Sequence, residues 1–318
     1  MNSAVSSPAE TVLRDELARA DRALGGVAPV LEHVLAGAGQ SLLSDAIVAR
    51  VRGMLNDLAN QFVRSMRAST SEMDIEPNDG LVDRLASELA SDTPILVHCH
   101  AMAMEGVLTD RLDQRSSIDP ILSPLWQELI ASEDAAVGET AMQALTAQSR
   151  FMQTQRRMQQ PALDLPAEVL ERALRIWARS MPVEDEPVVT EAMRGLKADY
   201  DEAQTRLALI ARLIGSMRSG VLAALELEHA GLALFVSALA LSTGQMRARA
   251  VMACNEQQAA RLAIGLRAAG LDVNAVERQF VALEPTANVP RGLDDLSVDA
   301  ARAIIEDSAS QLTVDGGW

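Results

Sequence analysis

Aromatic side chains are scarce in this sequence, which has four Phe, three Trp and one Tyr among 318 residues. Alternating β-branched runs, the pattern typical of strands, are also missing. Hydrophobic residues still make up 48% of the chain, so it is globular and its core must consist of Leu, Ala, Val, Ile and Met. The dominant residues, Ala, Leu, Met, Arg, Gln and Glu, favour helix. We therefore expect an all-α protein, a multi-helix bundle or irregular α-solenoid of about a dozen helices.

Basic residues are fewer than acidic residues in this sequence. The net charge is −16, and Lys197 is the only lysine among 28 basic residues. Because binding to a nucleic-acid duplex depends on neutralising its phosphates, this balance argues against nucleic acid as the general partner.

Signals for export, disulfide bonding and membrane insertion are lacking as well. The first residues, "MNSAVSSPAE", have neither the basic nor the apolar region of a signal peptide. The most apolar stretch, 231–241, has about half the length that spans a bilayer. Cys99 and Cys254 form no disulfide framework and are expected to remain reduced thiols. The sequence predicts a cytoplasmic protein of bacterial type, without stable membrane insertion and without a cofactor.

Capping signals and apolar periodicity locate the helices. The predicted ranges are about 8–24, 41–66, 79–91, 94–113, 120–131, 133–158, 166–180, 187–218, 229–243, 256–269, 272–283 and 297–311. The polar, acidic stretch 68–80 predicts a linker. It separates an N-terminal helical unit, 1–67, from a main helical body, 81–283, and a loop with a C-terminal helix follows over 284–318.

The predicted helix 187–218 carries a heptad pattern, with apolar residues at alternating intervals of four and three. They are Val189, Met193, Leu196, Tyr200, Ala203, Leu207, Ile210, Ile214 and Met217. Such a seam is typical either of a helix that pairs with another chain or of a long helix inside its own bundle. Because charged residues flank the first half, we expect a homodimer with Met193, Leu196 and Tyr200 at the contact.

The densest cluster of reactive side chains is His98-Cys99-His100. A cap followed by Pro predicts a helix here, and side chains two positions apart on a helix point about 200° apart. His98 and His100 should then diverge, so they cannot ligate one metal ion, and Cys99 should be buried on the core face.

His229, three residues after Glu226, is an acid–base candidate, although this pair also fits a solvated helix end.

The most basic local region combines Arg156 and Arg157 with Arg172, Arg175 and Arg179. On the helix predicted over 166–180, the last three share one face, and Glu residues precede the first two of them by four positions, the favourable order for helix ion pairs. This face is either solvated and salt-paired or a docking surface for an acidic or phosphorylated protein partner.

The segment "HAGLALFVSALALSTGQMRARAVMACNEQQAARLAIGLRAAGLD", 229–272, resembles an alphaproteobacterial helical family, domain of unknown function 2336. The matching features are Phe235 in a small-residue helix, the Thr243-Gly244 break and the helix end at 268–271. The resemblance implies a bacterial cytosolic helical protein with a regulatory role, and it carries over no catalytic residue.

The leading hypothesis is a non-enzymatic protein-interaction or regulatory scaffold that acts through helix grooves and the heptad seam. An alternative is a helical ligand-binding sensor, because methionines on adjacent predicted helices could line an adaptable pocket or simply fill the core. They are Met102, Met104, Met142, Met152 and Met158. A third alternative is an enzyme of unrecognised type, for which the sequence predicts no catalytic residue.

Purified protein is expected to contain no stoichiometric zinc, because a helical His98-Cys99-His100 segment cannot present both imidazoles to one ion. Inductively coupled plasma mass spectrometry measures the zinc content directly. One zinc ion per chain would contradict the helical interpretation.

Overall fold

The computed structural model describes residues 8–27, 44–68, 79–284 and 289–314. Within these ranges the chain forms fourteen α-helices and contains no β-strand, so the predicted all-α class is confirmed. The helices are α1 Pro8–Gly25, α2 Asp45–Ala68, α3 Asp79–Ala90, α4 Thr93–Ser116, α5 Pro124–Ile130, α6 Ala135–Arg156, α7 Ala167–Ser180, α8 Glu186–Asp199, α9 Arg206–Ser216, α10 Leu227–Thr243, α11 Arg247–Ala253, α12 Ala259–Ala268, α13 Val273–Leu283 and α14 Val298–Val314.

Short 3₁₀-helices connect several of these elements. They are Ala162–Asp164, Val183–Asp185, Glu202–Gln204, Arg218–Leu225, Glu256–Gln258 and Leu293–Asp295.

The chain divides into two compact units, each assembled from segments that are distant in sequence. Unit 1 comprises Met1–Val27, Val107–Leu145 and Ile210–Trp318, and unit 2 comprises Ala28–Gly106 and Thr146–Leu209. The division falls within α4, α6 and α9, which contribute residues to both units.

Unit 2 is built around the amphipathic helices α2 and α7. Helix α2 packs on α3 and α8, and α7 packs on the same two helices. One stripe of α7, including Leu170, Leu174 and Trp177, is buried. The Trp177 ring stacks on Phe62 with a centroid distance of 4.8 Å. Two of the chain's eight aromatic rings therefore join α2 to α7 in the core of this unit.

Unit 1 centres on α12, which packs on α1, α10, α11, α13 and α14. Arg261 of α12 is 1% exposed; it pairs with Asp21 of α1 and donates to the side-chain oxygen of Gln245 at 3.1 Å. Burial lowers the pKa of Arg261 to about 10.

In the part of the chain that the structure describes, no single helix has the length and hydropathy to cross a membrane. Helices α10 and α11 reach that length and hydropathy only as a pair, and the pair is bent by 116°.

The prediction of one continuous helix over 187–218 is wrong, because α8 ends at Asp199 and α9 begins only at Arg206. Local hydrogen bonds explain the interruption. The Asp201 carboxylate accepts the backbone N–H of Ala203 at 2.9 Å, and the Thr205 hydroxyl donates to the carbonyl of Glu202 at 2.8 Å. Such side-chain bonds to nearby backbone compete with helical hydrogen bonds.

The heptad pattern is consequently divided between two helices. Val189, Ile210 and Ile214 are buried, as expected of a seam, but Ala203 is exposed between the helices. A homodimer through this pattern stays a prediction.

Two further differences concern the start of one helix and a helix that was not predicted. The helix predicted from 120 begins at Pro124, because the Asp119 carboxylate accepts the backbone N–H groups of Ile121 and Leu122, both at 2.8 Å, and so forms a turn. The sequence analysis does not predict α11. Residues 69–78 of the predicted linker lie outside the described residues.

Gly53 of α2 lies against Met158, just after α6. A Cβ on Gly53 would stand 2.5 Å from the Cβ of Met158 and 2.9 Å from its carbonyl oxygen. We expect Gly53→Ala to lower the free energy of unfolding by about 1–3 kcal/mol, because neither atom belongs to a flexible side-chain end. Urea denaturation followed by circular dichroism measures this.

Gly195→Ala is the matched control. Gly195 also lies inside a helix, and a Cβ there would meet no atom within 4 Å. This variant should gain about 0.5–1 kcal/mol from helix propensity alone. If both variants changed stability equally, the close approach at Gly53 would be disproved.

Candidate functional site

A groove of about 700 Å³ follows the hairpin of α7 and α8 in unit 2. Two prolines determine the hairpin. Pro182 places Met181 in an extended conformation, which ends α7, and Pro187 occupies the first turn of α8, where its missing N–H costs nothing. The 3₁₀-helix Val183–Asp185 connects them.

The floor and lip of this α7–α8 groove are apolar. Met181 and Val189 are buried in the floor, and Met193 is half-buried on α8. Val183 at the lip is 82% exposed, the highest value among the large apolar side chains that the structure describes. A strip of apolar surface is therefore open to a binding partner.

Most cations around the groove are already paired. Lys197 of α8 reaches Glu171 of α7 at 2.8 Å, and Arg194 pairs with Glu191 one turn earlier. These exposed pairs stabilise the fold little because water screens them, but they neutralise charge along α8. Glu186 is the acidic residue in the groove lining.

An adjoining cavity of about 450 Å³ is lined by Asp92, Arg172, Arg175, Ala178, Arg179 and Met193. We call it the arginine pocket. Three of these residues, Ala178, Arg179 and Met193, also line the α7–α8 groove, so the two concavities form one continuous surface.

Within the arginine pocket, Arg172 is held by Asp92. Its guanidinium donates three hydrogen bonds of 2.8–3.1 Å to the Asp92 carboxylate, and these bonds raise the pKa of Arg172. Arg175 and Arg179 are exposed and make no ion pair or hydrogen bond within the described residues. The two helix ion pairs that the spacing suggests do not form among the described residues, because Arg172 pairs with Asp92 and Glu171 pairs with Lys197.

The segment that follows α8 is anchored to the residues that precede α7. The Tyr200 hydroxyl donates to the carbonyl of Leu165 at 2.9 Å, and the Glu202 carboxylate accepts the backbone N–H of Ala167 at 3.1 Å. These two hydrogen bonds hold the segment after α8 against the start of α7, and so they fix the width of the α7–α8 groove.

The first residue of α9, Arg206, is buried in unit 2. Its guanidinium pairs with Glu105, donates to the side-chain oxygen of Gln148 at 2.7 Å and lies 3.7 Å from the centre of the Phe151 ring. Arg206 and Glu105 are 4% and 0% exposed. The sequence analysis misses this network because it places Arg206 inside one continuous helix, 187–218, at a position outside the apolar heptad pattern.

The predicted interaction residues separate into two groups. Met193, Arg172, Arg175 and Arg179 come together at the groove and its arginine pocket. The remaining residues, Leu196, Tyr200, Arg156 and Arg157, do not line either concavity.

The His98-Cys99-His100 segment lies on α4, and Cys99 is a fully buried free thiol, as predicted. Burial raises the pKa of Cys99 to about 12, so the thiol is not a reactive thiolate at neutral pH. His100 is 1% exposed, and burial lowers its pKa to about 4. Within the described residues, no group of three or more His, Cys, Asp or Glu side chains is placed to hold a metal ion.

A larger cavity, of about 980 Å³, lies in unit 1 between α1 and α12. Its lining consists mainly of small residues such as Ala20, Ala23 and Ala260, and of polar ones such as Glu16 and Arg19. Because docking energy comes from burying large apolar side chains, we regard the α7–α8 groove as the stronger candidate despite its smaller volume.

The methionines proposed for a sensor pocket line none of the cavities described above. Met102, Met104 and Met152 are buried, whereas Met142 and Met158 are 50% and 41% exposed.

Comparison with known proteins adds no relative. No protein-family model matches the chain, and searches of curated proteins and of solved structures find no match. The resemblance of 229–272 to domain of unknown function 2336 stays a prediction, and function has to be inferred from the groove itself.

His100 should make stability depend on pH. Its folded pKa of about 4 is below the unfolded value of about 6.5, so the unfolded state binds the proton first. The free energy of unfolding should fall as pH drops from about 6.5 to about 4, by about 3 kcal/mol from this residue. In His100→Gln this part of the pH dependence should be absent in urea denaturation, while His229→Gln, at a half-buried histidine, should retain it. An unchanged profile in His100→Gln would contradict a neutral buried imidazole.

Proposed function

We propose that this chain is a cytosolic helical interaction protein of bacterial type that docks an acidic amphipathic segment of a protein partner in the α7–α8 groove. The observation that supports this proposal is the apolar strip of exposed Val183 and half-buried Met193 beside Arg175 and Arg179, two cations without a partner among the described residues, in a protein of net charge −16.

The apolar strip would supply the affinity. A large aliphatic side chain gains about 1.5–3 kcal/mol when it is fully buried, and Val183 has most of its surface still to bury. The hairpin between Pro182 and the Tyr200 anchor is already formed, so docking would cost little ordering of the groove.

Arg175 and Arg179 would supply orientation. Carboxylates on the partner segment would be attracted to Arg175 and Arg179, whereas most of the surface of this acidic protein would repel them. The partner is therefore an amphipathic segment with apolar residues along one face and carboxylates beside them.

A second copy of the chain is the alternative occupant. The sequence predicts a homodimer through Met193, Leu196 and Tyr200, but only Met193 lines the groove. Tyr200 is engaged with Leu165 through its hydroxyl, so a self-contact would have to be made by the groove rather than by a heptad seam.

Display selection of random peptides of helical length on the full chain tests the proposal. We expect acidic amphipathic sequences to be enriched and to lose at least about tenfold in affinity on Val183→Asp, because the new carboxylate would sit in the apolar strip and repel the peptide. Fluorescence anisotropy with individual selected peptides measures this loss.

Val281→Asp is the matched control, because Val281 of α13 is also an exposed valine, at 62%, and lies in unit 1. It should leave peptide affinity unchanged. Peptides without acidic residues, no enriched peptide, or equal affinity for wild type and Val183→Asp would contradict the proposal. A dimer by light scattering that dissociates only in Val183→Asp would assign the groove to a second copy instead.

A further inference from the structure

The arginine pocket differs from the rest of the groove in its charge and shape. Three guanidinium groups, from Arg172, Arg175 and Arg179, line one small concavity together with a single carboxylate, Asp92. The first two are three positions apart on α7 and the last two are four apart, so all three lie on one helix face.

The Asp92 carboxylate is already hydrogen-bonded to groups of the protein itself. Its carboxylate accepts the backbone N–H of Ile95 at 3.2 Å, near the start of α4, as well as the hydrogen bonds from Arg172. It therefore neutralises Arg172 and holds that guanidinium in place. The two charges left over in the pocket are those of Arg175 and Arg179.

Arg175 and Arg179 have no compensating charge among the described residues. Two such guanidinium groups on one wall of a concavity match a compact dianion better than they match a single carboxylate. A phosphate monoester carries about −1.5 to −2 charges at neutral pH and offers three acceptor oxygens. Guanidinium groups donate paired hydrogen bonds to such oxygens. A single carboxylate would compensate only one of the two charges.

We propose that the arginine pocket binds a phosphorylated Ser or Thr side chain of the docked segment, so that phosphorylation strengthens docking. This inference rests on the proposed function for its biological setting. The pocket adjoins the apolar groove through Ala178, Arg179 and Met193, so one short segment can place its apolar face in the groove and its phosphate among the arginines.

The probe for this proposal is N-acetyl-phosphoserine N-methylamide, compared with N-acetyl-glutamate N-methylamide, titrated into the full chain. Arginine side-chain Nε–Hε signals followed by NMR report binding. We expect saturable shifts for Arg175 and Arg179 with the phosphoserine compound, and an affinity at least about tenfold higher than for the glutamate compound.

The double variant Arg175→Gln/Arg179→Gln removes both reporting groups, so its binding is measured by isothermal titration calorimetry, which should detect none. Arg156→Gln/Arg157→Gln is the matched control, since it removes the same charge from two exposed arginines of unit 2 that do not line the pocket, and it should retain binding. Absence of saturation, equal affinity for the two compounds, or retention of binding in the pocket variant would each overturn the proposal.

A lipid headgroup is the other source of a phosphate monoester. Sedimentation with phosphatidylcholine vesicles, with and without phosphatidic acid, should show no binding of the full chain. Binding to phosphatidic acid that is lost in Arg175→Gln/Arg179→Gln would overturn the assignment to a protein side chain.

The experiments distinguish a failure of the phosphate subsite from a failure of the proposed docking groove. If selected acidic peptides still require Val183 while the phosphoserine compound fails to bind, the groove stands and the phosphate subsite is wrong. If the phosphoserine compound binds but Val183→Asp has no effect on the peptides, the subsite stands and the docking groove is wrong.

Discussion

A buried ion pair between Arg206 and Glu105 constrains the part of the molecule that carries the groove. Both side chains are buried, and removal of one partner from such a pair costs about 3–5 kcal/mol because the other charge is left buried. Arg206 is the first residue of α9 and lies next to Gln148 and Phe151, so the pair holds the start of α9 at this point. The local hydrogen bonds of Asp201 and Thr205 separate this start from the end of α8, and 186–216 forms two helices instead of one.

The groove follows from that interruption. Because α8 stops at Asp199, Tyr200 can bond to Leu165 and Glu202 can bond to Ala167, and the hairpin of α7 and α8 is tied at its open end. Prolines form its closed end. The fixed hairpin leaves an apolar strip uncovered and sets the arginines of α7 beside it, so the architecture of unit 2 accounts for both the affinity and the charge preference that we propose.

Sequence reasoning recovers what is local and misses what is made by tertiary contacts. Composition and periodicity identify the all-α class, the buried Cys99 and the arginine face of α7, because each depends on spacing along one helix. The break at 200–205 was not predictable from apolar spacing, since Tyr200, Ala203 and Leu207 continue the heptad without interruption. The burial of Arg206 and the pairing of Lys197 with Glu171 depend on residues far away in sequence. The position of Met193 beside the arginines of α7 also depends on such distant contacts.

Hydrogen–deuterium exchange of the full chain tests the central claim, that the α7–α8 groove is the docking surface, most directly. Backbone amides should be compared with and without a selected acidic peptide, which reports bound regions independently of any substitution. The account predicts that added protection is concentrated in 178–197, which includes the turn between the two helices. Protection confined to the α1 and α12 surface of unit 1, or no change in 178–197, would contradict it.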